Sequence, residues 1–267
     1  MSKQRCRADE LLVVQGLAAT RSQARALIMA GRVWLADRRV EKPGELLPPD
    51  AALRLTREPR YVSRGGEKLE FALRVFGLDV TDLVCADFGA STGGFTDALL
   101  QHGARRVYAI DVGYGQLHYR LRSDPRVIVM ERTNVRTLER LPEPIDLVTI
   151  DVSFISLRLV LPAAHRVLRP HGHVVALVKP QFEAGRGRVG KGGIVRDPAV
   201  HRQVLEQVIA GALDLGFGVE GLVRSPITGA EGNVEFLLLL RRDASTTQDV
   251  AALIASVLDE TEQVRCT

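Results

Sequence analysis

The segment Asp87-Phe88-Gly89-Ala90-Ser91-Thr92-Gly93-Gly94-Phe95-Thr96-Asp97 constrains the fold of this chain more than any other. It follows the short apolar run Leu83-Val84-Cys85-Ala86 and opens a helix-periodic stretch through Phe95, Ala98 and Leu99. A strand that turns through glycines into a helix lets the backbone pass close to a ligand and aims a helix N-terminus at it. The next apolar run, Val107-Tyr108-Ala109-Ile110, ends on Asp111, at the place where doubly wound folds grip a ribose. Strand, glycines, helix, strand and acid in this order predict a site for a ribose-bearing ligand.

The pattern continues as alternation. Strands are expected at 83–87, 106–111, 126–130, 146–151 and 173–179, and helices at 94–102, 157–168 and 199–215. Two last strands, 218–224 and 233–241, have no helix between them, and a helix at about 247–258 closes the chain. Such alternation calls for a mostly parallel sheet covered on both faces, a Rossmann-like α/β fold, with an antiparallel edge. With 267 residues, 46% hydrophobic and 25% charged, the chain can bury a core of that size and a smaller domain besides. No apolar run reaches the roughly 18 residues of a membrane span. The basic start, Met1 to Arg7, is not followed by an apolar signal core, which predicts a cytoplasmic protein. Cys6, Cys85 and Cys266 are too few and too scattered for a disulfide framework or a zinc site, so no metal is expected.

Ahead of this lies a different module. Residues 1–60 hold twelve Lys/Arg against seven Asp/Glu, a surplus of five, while the whole chain carries only +4. A short helix from Ala8 to Val14 is stopped by Gly16, and a second runs from about Ser22 to Met29, stopped by Gly31. Strand-like Val33-Trp34-Leu35 and Leu53-Arg54-Leu55 follow. The spacing of Arg21, Arg25 and Arg32 places them on one helical face, opposite Ala24, Leu27 and Ile28. A basic stripe of this kind suits a phosphate backbone or is simply a solvated face. The segment resembles the S4 RNA-binding domain in Arg7-Ala8-Asp9-Glu10-Leu11-Leu12, in Ser22 to Ile28 and in Gly31-Arg32-Val33. Residues 1–58 are therefore read as an S4-like domain, 59–63 as a linker and 64–267 as the α/β domain.

Ligands of open α/β sheets sit beyond the carboxyl ends of the strands. One expected strand there runs directly into Asp151 and another directly into Lys179. In Val234-Glu235-Phe236-Leu237-Leu238-Leu239-Leu240 a single carboxylate heads an apolar run, where an unpaired charge would be costly. Lys68 borders the apolar stripe of its helix. Taken singly, Asp151 reads as a strand-end cap, Lys179 and Lys68 as surface lysines and Glu235 as an ion-pair partner. Together with the glycine turn they read as one site.

Residues 61–242 resemble an FtsJ-type methyltransferase domain. The whole chain is similar to the TlyA (hemolysin A) family of ribosomal RNA 2′-O-methyltransferases. The segments that carry the likeness are Ser63-Arg64-Gly65-Gly66-Glu67-Lys68-Leu69, the glycine turn, Ile150 to Ser156, Val178-Lys179-Pro180-Gln181-Phe182-Glu183 and Gly232 to Phe236. The resemblance implies S-adenosylmethionine as cofactor, ribosomal RNA or a ribosomal subunit as partner and cytidine 2′-hydroxyls as acceptors. It maps the family's catalytic set onto Lys68, Asp151, Lys179 and Glu235. Lys179 would receive or orient the acceptor proton, and which lysine is neutral stays open. Asp87, Gly89, Ser91, Thr92, Gly93, Gly94, Phe95, Asp111, Asp151 and Asn134 would hold the cofactor, Asn134 beside the adenine or as a plain loop residue. RNA would meet Arg7, Arg21, Arg25, Arg32, Arg64 and the glycine-rich loop bearing Arg186, Arg188 and Lys191, read as a lid. Carbon-5 methylation of a pyrimidine needs a cysteine nucleophile, and Cys85 precedes the cofactor turn. Rival readings are a non-enzymatic RNA-binding or assembly factor, a membrane-active hemolysin, and a nicotinamide-linked oxidoreductase of the same fold.

Overall fold

The computed structural model describes residues 5–29, 31–56, 59–185, 187–229, 232–246 and 248–263. The chain divides after Pro59 into two compact units. In the first, α1 (Ala8–Val14) and α2 (Arg21–Met29) bury Leu11, Leu12, Ala24 and Ile28 in one cluster with Val33, Leu47 and Leu53. Thr20 starts α2, its hydroxyl accepting the Gln23 N–H at 3.2 Å. The expected strands appear as β2 (Val33–Leu35) and β5 (Leu53–Leu55), paired antiparallel. Three two-residue strands join them: β1 (Cys6–Arg7) pairs with β4 (Leu46–Leu47), and β3 (Arg38–Arg39) with β2. Strands this short leave no periodicity to read in the sequence.

The second unit is built on a seven-stranded sheet of order β11-β12-β10-β9-β6-β7-β8. Its strands are β6 (Val84–Phe88), β7 (Arg106–Ile110), β8 (Val127–Met130), β9 (Ile145–Ile150), β10 (Leu168–Val178), β11 (Phe217–Arg224) and β12 (Phe236–Arg242). The four pairings from β10 to β8 are parallel, and β12 lies antiparallel between β10 and β11. The antiparallel edge is thus β11, with β12 inserted one place inward. The expected helix at 157–168 is a 3-10 turn (Leu157–Leu159) and then α6 (Leu161–Val167), because Pro162 starts a new helix. A one-turn helix, α5 (Tyr119–Arg122), joins β7 to β8. The remaining helices are α3 (Gly65–Phe76), α4 (Gly94–Gln101), α7 (Pro180–Glu183), α8 (Pro198–Asp214) and α9 (Val250–Gln263).

Strand periodicity sorts side chains between two cores. Phe236, Leu238 and Leu240 join Val174, Ala176 and Val178 in a cluster with residues of α6, α8 and α9. Their neighbours Leu237, Leu239, Val175 and Leu177 join Leu69 of α3 and Phe95 and Leu99 of α4 on the other face. Counting by twos, Glu235, Lys179, Asp151 and Asp87 all fall on this second face. Parity therefore turns four charged groups toward α3 and α4, where Lys68 resides.

Residues 60–63, read from sequence as part of a linker, pack into the second unit. Tyr61 is 2% exposed and clusters with Leu69, Leu73 and Phe95. The Val62 N–H donates to Asp97 at 2.8 Å. Replacing Tyr61 with alanine is expected to destabilise the second unit by about 3–5 kcal/mol, as for other buried aromatics. Urea unfolding of the full chain measures this, and a change near zero would mark the segment as a mere tether.

Candidate active site

Strand register brings the charged residues together. Val178 pairs with Phe236 and Ala176 with Ile150, so the carboxyl ends of β9 and β10 and the start of β12 meet at one edge. Asp151, Lys179 and Glu235 each lie one residue beyond these ends. Lys179 Nζ stands 2.6 Å from Asp151 Oδ1 and donates to Ser153 Oγ at 3.0 Å. Lys68 Nζ, on the first turns of α3, stands 2.5 Å from Glu235 Oε2. The side chains of Lys68 and Glu235 are only 10% and 3% exposed. A cavity of about 290 Å³ opens onto Lys68, Asp151 and Lys179 and is completed by Ser63, Arg64, Gly65 and the glycine turn. The four residues thus form two lysine–carboxylate pairs around one space.

A second cavity, about 360 Å³, adjoins the first and shares Gly89, Ser91, Asp151 and Ser153 with it. It extends past Asp111, Asn134 and Val135 to Phe154. Between the two spaces the glycine turn runs against the strand-end loop of Asp151. A Cβ on Gly89, at φ +84°, would stand 2.7 Å from the Asp151 carbonyl oxygen, so only glycine fits. Asp111 accepts the Ser91 N–H at 2.8 Å and the Gly113 N–H at 2.7 Å, and lines this cavity. A carboxylate has about four acceptor sites, which leaves it capacity for the hydroxyls of a ligand. Asn134 both lines the cavity and accepts the Arg136 N–H at 3.1 Å.

Ser91, Thr92, Gly94 and Phe95 line the first cavity, but Asp87 and Gly93 line neither. Gly93, at φ +99°, is the cap of α4, and Asp87 is fully buried behind it. Asp87 accepts from the Thr96 N–H at 2.9 Å, the Thr96 hydroxyl at 2.7 Å and the Thr149 hydroxyl at 3.1 Å. It ties α4 to β6 and β9 and so braces the turn from below. Burial raises its carboxyl to about 7, against the pull of the threonine hydrogen bonds.

Four residues with a part in this site are missing from the site residues expected from the sequence. Phe154 is 90% exposed at φ +63°, and its ring lies 4.9 Å from that of Phe182. Ser153 meets Lys179, as above. Glu183 accepts the Ser156 hydroxyl at 2.6 Å and the Leu157 N–H at 2.7 Å, while burial raises its carboxyl. Gly229 presses against the Glu235 carboxylate, which leaves no room for a Cβ there. Ser153, Phe154 and Glu183 fall within segments already quoted for their likeness. A backbone approach such as that at Gly229 leaves no pattern in one sequence.

The basic residues divide. Arg64 is exposed and lines the first cavity, and Arg188 and Lys191 are exposed on the glycine-rich loop. Arg186 lies outside the described residues. In the first unit Arg25 is exposed on α2, but Arg32 lies beyond the end of that helix, past Gly31. It therefore does not share the face of Arg21 and Arg25, and its guanidinium donates to the Thr56 carbonyl at 3.1 Å. Arg7 and Arg21 hold the buried Asp9 at 3.0 and 3.3 Å. The hydrogen bond from Arg7, reinforced by Arg21, keeps the Asp9 carboxyl below its ordinary range. Both arginine side chains remain about half exposed, at 42% and 54%.

Among the described residues no group of three or more His, Cys, Asp or Glu could hold a metal ion, and no helix is long and apolar enough to cross a membrane. Residues 61–242 match the family model of FtsJ-like methyltransferases, and residues 6–53 match that of the S4 domain. The protein YqxC of Bacillus subtilis is 53% identical over 90% of this chain and 87% of its own length. The 16S/23S rRNA (cytidine-2′-O)-methyltransferase TlyA of Mycobacterium tuberculosis is 46% identical over 96% of this chain and 95% of its own. A solved structure from Streptococcus thermophilus superposes with a TM-score of 0.75 at 47% identity, covering 100% of each chain.

The bracing role of Asp87 has a signature in pH. Its unfolded carboxyl titrates at about 3.9, and the folded one at about 7. Between these values the folded chain holds the extra proton, so stability falls as pH rises through the window and levels off above it. Asp87→Asn keeps the hydrogen-bonding shape and removes the proton. The loss of Tm between pH 5 and pH 8 should be smaller in Asp87→Asn than in the parent chain, and equal losses would contradict the role. Gly229→Ala must displace the Glu235 carboxylate and is expected to cost about 1–3 kcal/mol in urea unfolding. A neutral effect would mean that the pair does not depend on this close approach.

Proposed function

The chain belongs to the FtsJ-like methyltransferase family, and on that premise we propose that it transfers the methyl group of S-adenosylmethionine to ribose 2′-hydroxyls of ribosomal RNA, at cytidines. The observation that carries the reading is the meeting of two lysine–carboxylate pairs where two cavities join. The cavities suit the cofactor's shape. The one beneath Asp111 and Asn134 fits a nucleoside, and the one at Lys68 and Lys179 leaves the reacting groups and the acceptor together. At about 290 and 360 Å³ they lie at the lower edge of the range of small-molecule sites. The cofactor supplies a methyl group on a positively charged sulfur with a neutral thioether as leaving group.

The protein's own task is the acceptor. A ribose hydroxyl is a weak nucleophile until its proton leaves, and an aligned base can supply that step. Lys179 receives or orients the acceptor proton at Nζ, while Asp151 and Ser153 fix that nitrogen. The Lys68 ammonium, held by Glu235, faces the same space and stabilises the negative charge that grows on the 2′-oxygen. Arg64 at the cavity rim attracts the adjoining phosphate. The exposed ring of Phe154 offers a face on which an unstacked nucleobase can rest. The S4-like unit supplies a second, sequence-tolerant hold on folded RNA, to which the exposed Arg25 contributes.

Alternative chemistries fit less well. Cys85 is wholly buried within β6, and burial pushes its thiol far up, so it cannot serve as the nucleophile of carbon-5 methylation. The test is Lys179→Ala assayed on ribosomal RNA with cofactor affinity measured in parallel by calorimetry. Methyl transfer should drop by about 10²–10⁴-fold, the usual contribution of a positioned base, with cofactor affinity retained. An undiminished rate would remove Lys179 from the chemistry. Absence of cofactor binding by the parent chain would favour a non-enzymatic RNA-binding factor.

A further inference from the structure

The loop Asp151–Leu157 carries the carboxylate and the hydroxyl that hold Lys179, and it is a strained piece of chain. Phe154 sits in the left-handed region at φ +63°, where a bulky residue pays a conformational penalty unless its surroundings enforce it. What enforces it comes from one short segment. At the start of the loop, Lys179 binds Asp151 and Ser153. In the middle, Phe154 rests on Phe182. At the end, both oxygens of Glu183 are engaged, one by the Ser156 hydroxyl at 2.6 Å and the other by the Leu157 N–H at 2.7 Å. Ser156 also begins the 3-10 turn that follows, accepting the Arg158 N–H at 3.3 Å. Glu183 thus fastens the far end of the loop to the same helical turn, α7, that starts from Lys179.

We propose that Glu183 is a positioning residue: it latches the loop to α7 so that Asp151 Oδ1 and Ser153 Oγ stay aligned on Lys179 Nζ. Glu183 lines neither cavity, so it acts on the reaction only through the loop. Without the latch the strain at Phe154 has one attached end, and the loop can relax away from the lysine. Misplacement of a reacting group by about 1 Å can cost on the order of a hundredfold in rate. The inference rests on the proposed role of Lys179, but the latch itself has a readout that does not require activity.

The test uses the full-length chain with Glu183→Ala, Glu183→Gln, Ser156→Ala and the Glu183→Ala/Ser156→Ala pair. Glutamine can still accept from Leu157 and donate to the Ser156 oxygen. Amide hydrogen exchange across residues 152–157 should speed up in Glu183→Ala and return toward the parent rate in Glu183→Gln. Turnover on ribosomal RNA should fall by about 10- to 100-fold in Glu183→Ala, with cofactor affinity within about threefold by calorimetry, and recover in Glu183→Gln. The double variant should be no slower than the worse single one, because both changes open one latch. Unchanged exchange in Glu183→Ala, or turnover and cofactor affinity lost together in both Glu183 variants, would overturn the proposal. Exchange that responds as stated in a chain with no methyl transfer would leave the latch standing and sink the functional reading instead.

Discussion

The structure turns on the cost of placing two lysines at the end of a sheet. An ammonium group withdrawn from water is unfavourable unless a carboxylate and further hydrogen bonds replace the lost solvation. Here each lysine meets a carboxylate from a distant part of the sequence: Lys68 with Glu235, Lys179 with Asp151. The partners can meet only if β10 and β12 are antiparallel neighbours in one register and α3 lies over the face to which Glu235 points. The pairs leave the site close to neutral before a positively charged cofactor and a polyanionic acceptor arrive. Neither lysine is spent on stability alone, since both still line the cavity.

The glycine turn depends on that arrangement from the other side. Gly89 touches the backbone at Asp151, so the wall of the cofactor site and the support of Lys179 are the same stretch of chain. Asp87 ties the turn to α4 and to Thr149 on β9 from within the core. A ligand placed by the turn is therefore placed relative to the lysines. This is preorganisation of the kind that catalysis by alignment requires.

Much of this was legible in the sequence, for identifiable reasons. Alternation of apolar runs has a period, and it disclosed the parallel sheet and the strand ends that bear Asp151 and Lys179. Glu235 was legible because a carboxylate heading an apolar run needs an explanation. What lay hidden depends on geometry rather than pattern. The arginine spacing suggested a continuous helical face, but Gly31 ends α2 before Arg32, and Arg7 and Arg21 turn toward Asp9. Asp87 looked like a ligand contact and faces the core, because strand parity and two threonines draw it inward. Glu183 and Gly229 act through contacts across 26 and 6 residues of chain, which no local spacing encodes.

The central claim is that the two lysine–carboxylate pairs activate a ribose hydroxyl. Its most direct test is the chemical position of the transferred methyl group. Ribosomal RNA treated with the purified chain and isotope-labelled S-adenosylmethionine is digested to nucleosides and analysed by mass spectrometry. The account predicts label in 2′-O-methylcytidine, with the mass of the extra methyl retained on the sugar fragment. Label that stays with the base fragment would contradict it.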